Sequence, residues 1–156
     1  MTEFELNELK GRTLLESFLT QVGATNLHPT EDTYNPVDYY FTYKNQKVVA
    51  EIKIRDKKYE SYPTHLMEVS KYKALVKDKA SNQLDVAYYI NFFIDGDTIN
   101  AYWYTTSTIS KYSITDYMYC NRTTAIDTGR TNKKVLLIPT DKAQRYTRIN
   151  CRWTKG

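Results

Sequence analysis

The 156-residue sequence predicts an α/β protein, a mixed central β-sheet flanked by helices, on three observations. Residues 5 to 22 place apolar side chains at helical spacing. Residues 36 to 55 alternate apolar and polar positions on both sides of a polar turn, the pattern of two paired strands. Residues 86 to 104 read as a second hairpin whose first strand is apolar on both faces, which requires a sheet covered on both sides.

The first helix buries the stripe Leu14, Leu15, Phe18, Leu19 and Val22, and Gly23 stops it. Lys10 and Arg12 lie at its entrance, Gly11 falls early in it, and Glu16 sits on the flank of the stripe. Residues 24 to 35 are loop-like, broken at His28-Pro29 and Asn35-Pro36, with a short strand around Thr25 to His28 weakly signalled. The hairpin of residues 36 to 55 follows, then the charged loop Asp56 to Glu60. Pro63 and Thr64 suit a helix start, so a second helix is expected from about 64 to 78. Its buried stripe is Leu66, Val69, Tyr72 and Val76, and Lys71, Lys73, Lys77 and Lys79 give it a basic side. Asp95-Gly96 is a strong turn signal between strands 86 to 94 and 98 to 104. Residues 105 to 132 read as loop with one short helix, residues 135 to 138 as a buried strand ended by Pro139, and the last fifteen as a polar, mobile tail.

Length and composition describe one globular domain spanning 1-156, with a core over about 5-105 and a basic extension over about 139-156. After Asp127 the only acid is Asp141, against Arg130, Lys133, Lys134, Lys142, Arg145, Arg148, Arg152 and Lys155. A polyanionic partner and ordinary solubility both account for that bias. Cys120 and Cys151 lack metal-ligand spacing and cannot make a disulfide framework. No apolar run approaches the ~20 residues that span a bilayer, and no signal peptide is evident. A cytoplasmic protein without a membrane partner is the expectation, with the sequon Asn121-Arg122-Thr123 fortuitous.

Register gives the first hairpin its chemical interest. A two-residue loop at Lys44-Asn45 pairs Tyr43 with Gln46, Phe41 with Val48, Tyr39 with Ala50 and Asp38 with Glu51. A three-residue loop would split the apolar face, so burial selects the first register. That register sets two carboxylates about 5 Å apart at Cβ, which is destabilising without a neutralising partner. Lys53, on the same face, is one such partner, and a divalent cation taking hard oxygen ligands is the other.

The order helix, hairpin with Asp38 and Glu51-Ile52-Lys53, helix, strand resembles the PD-(D/E)XK nuclease superfamily over roughly residues 10 to 94. Asp38 precedes Glu51 by thirteen positions, and Glu51-Ile52-Lys53 lies in an apolar strand. The usual Pro-Asp pair departs to Pro36-Val37-Asp38. Lys10-Gly11-Arg12 followed by Glu16 is similar to archaeal-type Holliday junction resolvases within that superfamily, which carry a Lys-Gly and then a helical Glu assisting the metal site. Glu68 and Tyr72 loosely resemble a Gln-x-x-x-Tyr motif of exonuclease branches, although a core role suits Tyr72 better; His65 suits a cap or the surface.

The resemblance implies a restriction-endonuclease-like core, α-β-β-β-α-β with an added hairpin, and a Mg²⁺-dependent deoxyribonuclease, with Mn²⁺ as substitute. Asp38, Glu51 and the Ile52 carbonyl would hold the metal, with Glu16 a further candidate, and Lys53 would act on the attacking water or the developing charge. Arg55, Lys57, Lys58, Lys71 and Lys73, with Lys10 and Arg12, are the expected nucleic-acid contacts. They would bind phosphate without reading bases, which fits junction or branched DNA better than a short recognition site. A homodimer agrees with two symmetric cuts. RNA stays open as a substrate, and the rival reading is a nucleic-acid-binding or assembly module that keeps the fold without turnover.

Overall fold

The computed structural model describes the backbone of residues 2–31, 37–121 and 130–156, and their side chains except those of 119–121 and 130–132. Asn35-Pro36, the sequon's Arg122 and Thr123, Asp127 and the side chain of Arg130 lie outside the described residues. The first helix, α1 (Glu3–Val22), opens on a capping box: Thr2 Oγ1 accepts from Glu5 N, and the Glu5 carboxylate accepts from Thr2 N. Gly23, at φ +77°, ends it in the left-handed conformation.

Three strands follow, β1 (Thr25–Pro29), β2 (Tyr39–Tyr43) and β3 (Gln46–Arg55). Lys44 and Asn45 both have positive φ, as a two-residue type I′ turn demands, and Asn45 suits it. The register is the one that burial selects: Tyr43 opposite Gln46, Phe41 opposite Val48, Tyr39 opposite Ala50. A single 3-10 turn (Lys57–Tyr59) leads to β4 (Thr64–Glu68) and α2 (Val69–Ser81). Then come β5 (Val86–Asp95), β6 (Thr98–Thr105), α3 (Thr106–Tyr112), β7 (Ile114–Asn121), β8 (Arg130–Pro139), β9 (Gln144–Ile149) and β10 (Arg152–Lys155).

Seven strands form the main sheet in the order β1-β2-β3-β5-β6-β9-β10. Every neighbouring pair is antiparallel except β3 and β5, whose parallel pairing needs a crossover, supplied by β4 and α2. A smaller sheet, β4-β8-β7, packs with α2 and α3 on one side of the main sheet, and α1 packs on the other. Strand parity sorts the core accordingly. Tyr39, Phe41, Val48, Ala50, Ile90, Phe92 and Trp103 join Leu15, Phe18 and Leu19 of α1. Val49, Ala87, Tyr89, Phe93, Tyr102 and Tyr104 join Leu75, Ile109 and Ile138 on the opposite side. The architecture is thus a mixed sheet covered by helices on both faces.

Four expectations are corrected. Residues 64 to 68 are strand, not the first turns of a helix, because they pair with β8, where Thr64 faces Pro139 and Glu68 faces Val135. The buried anchor of α2 is Leu75, while Val76 is exposed. Residues 114 to 121 form β7 on β8, where the sequence reads as loop. The C-terminal segment is no mobile tail: β9 pairs with β6, Asn150 and Cys151 form a positive-φ turn, and Trp153 is buried against Phe18 at 5.7 Å between ring centroids. No described helix is long and apolar enough to cross a membrane.

Candidate active site

Strand β3 outruns β2. Their ladder ends at Tyr39 and Ala50, so Glu51 to Arg55 continue with β5 on one side and a notch on the other. Asp38 stands at the corner of the notch. Its amide donates to Ala50 O (3.0 Å), and its Oδ2 accepts from Ile52 N (2.7 Å), replacing the strand partner that β3 lacks there. Thr30 fixes the same corner from β1's end: its amide and hydroxyl both donate to Asp38 O, at 3.1 Å each. The Arg12 guanidinium in turn donates to the Thr30 hydroxyl (3.1 Å), while Arg12 Nε is buried without a partner.

Helix α1 closes the notch. Gly11 lies so close to Ile52 that a Cβ on it would stand 2.8 Å from Ile52 Cγ2. This contact brings Glu8, one turn earlier, and Arg12 to a cavity of about 130 Å³ whose other walls include Asp38, Ile52 and Lys53. Glu51 is buried, 3 % exposed, and its Oε2 has no partner. Lys53 therefore does not satisfy that atom, although it projects to the same side of the sheet.

Electrostatics agree with the crowding. Burial, then the Asp38 carboxylate, push the Glu51 pKa well above the usual carboxylate range, against the pull of Lys71 and Lys53. Burial, then Asp38, also raise Glu8. Burial lowers Lys53 against the attraction of Glu51, with Arg55 and Lys71 adding like-charge repulsion. Three acids, Glu8, Asp38 and Glu51, and two ammonium groups, Lys53 and Lys71, thus act on one another here. Among the described residues no group of three acidic, His or Cys side chains has the geometry of a complete metal site, so any ion would rest on fewer protein ligands plus water or substrate oxygens.

The remaining candidates scatter. Glu16 is exposed and does not line the cavity; its carboxylate helps burial raise the Tyr39 hydroxyl to about 12. Arg55 is committed internally, donating to Asn91 Oδ1 (3.1 Å), Leu66 O (2.7 Å) and the Tyr89 hydroxyl (2.7 Å), and so is not free for DNA. Lys57 pairs with Glu60 at 2.7 Å, and exposed Lys58 lies over the Tyr59 ring. Lys71 is half-buried and acts on the carboxylates, whereas Lys10 and Lys73 are exposed. Glu68 pairs with Lys133 at 3.0 Å. His65 is neither cap nor surface: it is buried, with Nδ1 2.7 Å from the Tyr104 hydroxyl.

Glu8 and Asn91 are the site residues that sequence reasoning missed. Glu8 precedes Gly11 by three positions and so shares its helix face, while Glu16 lies about 140° away around the helix. Asn91, opposite Lys53 on β5, is fully buried, and its signal is a lone amide inside Ile90-Asn91-Phe92-Phe93. No family model matches this chain, and no curated protein does. Among solved structures it is similar to Hjc, a Holliday junction resolvase from the archaeal hyperthermophile Archaeoglobus fulgidus, at 14 % identity over 79 % of this chain and 84 % of that one, with a TM-score of 0.48.

Proposed function

We propose that the protein is a divalent-metal-dependent nuclease that hydrolyses phosphodiester bonds in DNA, with branched DNA its favoured substrate. The observation behind this reading is the convergence of Asp38 and Glu51 at the open end of β3, with a buried Glu51 oxygen that no protein atom satisfies. Facing carboxylates repel, and a hard cation relieves both the repulsion and the orphaned oxygen. Asp38 and Glu51 would hold it, with the Ile52 carbonyl as a further donor and the Glu8 carboxylate adding negative charge nearby. Mg²⁺ suits so small a protein ligand set because it is commonly held by one or two carboxylates plus substrate phosphates, and Mn²⁺ would substitute. When bound, such an ion polarises the scissile phosphate and lowers the pKa of a coordinated water.

The chain's own groups do the rest. Lys53 orients the attacking water or meets charge developing on the phosphate, and Lys71 adds a second positive group from α2. Arg12, anchored on Thr30, holds the corner that sets Asp38 and lends positive charge to the mouth of the cavity. Exposed Lys10, Lys58 and Lys73 are left to contact backbone phosphates, which carry no base information. Two symmetric cuts in a four-way junction would require two copies of the chain.

The test is cleavage of labelled linear, nicked and four-way DNA with Mg²⁺, Mn²⁺ or EDTA, beside Asp38→Asn and Lys53→Ala. Metal-dependent cutting of the branched substrate, lost in both variants, is expected. Cutting that survives both substitutions would remove the site from the reaction. Tight binding with no cutting under any metal would favour a binding module on the same fold.

A further inference from the structure

A second cavity, of about 340 Å³, opens beyond the end of β3, and the proposed reaction does not use it. Tyr59 and Tyr62 stand at its mouth, Phe93, Met118 and Leu137 supply apolar wall, and Arg55, Thr64 and His65 add polar groups. The two tyrosines are 41 % and 53 % exposed, with rings meeting edge to face at 5.3 Å. Large aromatic side chains left in water around an apolar hollow mark a surface that something covers.

We propose that this cavity receives one unstacked nucleobase of the DNA strand whose phosphate lies at Asp38 and Glu51; the inference rests on the nuclease reading. Continuity is the first argument. Arg55 lies four residues beyond Glu51 on the same face of β3, about 13 Å further along the strand, so the cavity begins a short run of nucleotides from the carboxylates. Composition is the second. A base has flat apolar faces and a polar edge, and here tyrosine and phenylalanine rings supply stacking surface while Thr64 supplies a polar group. The Arg55 guanidinium, held by Asn91, Leu66 and Tyr89, contributes a fixed positive charge to the cavity wall. A bare phosphate would leave the apolar walls uncovered. Charge is the third: exposed Lys58, over the Tyr59 ring, stands where the sugar-phosphate chain would leave the cavity.

The experiment uses the full chain in EDTA, so that only binding is read. Affinity is measured by fluorescence anisotropy for a short single-stranded oligonucleotide and for its abasic counterpart, with the wild type, Tyr62→Ala and Tyr62→Phe. The wild type should prefer the base-bearing strand by roughly 5- to 150-fold, the span that one base–aromatic stack supports. Tyr62→Ala should lose about 5-fold or more of that preference with its affinity for the abasic strand unchanged, and Tyr62→Phe should retain it. Equal wild-type binding of the two strands would overturn the proposal, as would a Tyr62→Ala loss that is the same on both. Cleavage of branched DNA in Mg²⁺ is followed in parallel. Base preference without cleavage keeps the cavity assignment and sinks the nuclease reading, whereas cleavage without base preference does the reverse.

Discussion

Gly11 sets how closely α1 approaches β3, and Gly11→Ala tests that contact. On an open helix surface the change stabilises, by about 0.8–1.0 kcal/mol. Here the added Cβ would meet Ile52 Cγ2 at 2.8 Å, Ile52 Cβ at 3.7 Å and Ile54 Cδ1 at 3.9 Å. Ile52 cannot easily step aside. Its side chain is β-branched and stiff at χ1, and its backbone is held between the Asp38 carboxylate and β5. Overpacking of this kind costs about 1–3 kcal/mol, so the balance is a net loss of about 0–2 kcal/mol. For a chain of this length each kcal/mol moves Tm by about 2–4 °C, so a fall of up to about 8 °C is expected in thermal unfolding followed by circular dichroism. Cleavage should fall further than stability, because the Ile52 amide that would shift also holds Asp38 Oδ2. A rise in Tm like that of a surface Gly→Ala change would refute the close approach and the role it gives to Glu8.

The burial of Glu51 has a pH signature. Its folded pKa is raised above the ordinary 4.5, so the metal-free protein loses stability as pH rises past that value and until Glu51 ionises in the fold. Glu51→Gln removes the like charge and can donate to Asp38, so in EDTA at pH 8 it should raise stability by about 1 kcal/mol or more, and in Mg²⁺ it should abolish cleavage; a lower urea midpoint than the wild type would contradict this. Arg55→Lys should cost about 1–3 kcal/mol, since one ammonium cannot serve Asn91, Leu66 and Tyr89 together. Unchanged stability with weakened DNA binding would restore the phosphate-contact role that the sequence implies. Trp153→Ala should cost about 3–5 kcal/mol in urea denaturation, because the ring is 3 % exposed and Nε1 donates to Ser17 Oγ (3.0 Å); a mobile C-terminal tail would show no change.

Features that local periodicity specifies were legible before any coordinates. The stripe from Leu14 to Val22 lies on one helix face whatever it packs against, and Gly23 stops the helix because few other residues accept that φ. The Lys44-Asn45 register was legible for the same reason. Only one pairing buries Phe41, Val48, Tyr39 and Ala50 together, and that pairing carries Asp38 toward Glu51.

Long-range pairing hid the rest. Thr64 to Glu68 contain no signal that outweighs Pro63-Thr64 as a helix start; they are strand because β8, some seventy positions later, offers them a partner. Residues 144 to 155 look like a basic tail until β6 and Phe18 supply an edge and an apolar surface. The site divides along the same line. Asp38, Glu51 and Lys53 come from one hairpin whose geometry two neighbouring strands dictate. The choice between Glu8 and Glu16 depends on which face of α1 meets β3, and the missing side chain of Gly11 settles that against Ile52. Arg55 reads as a free cation in sequence because its three acceptors lie on β4 and β5, elements brought beside it only when the chain closes.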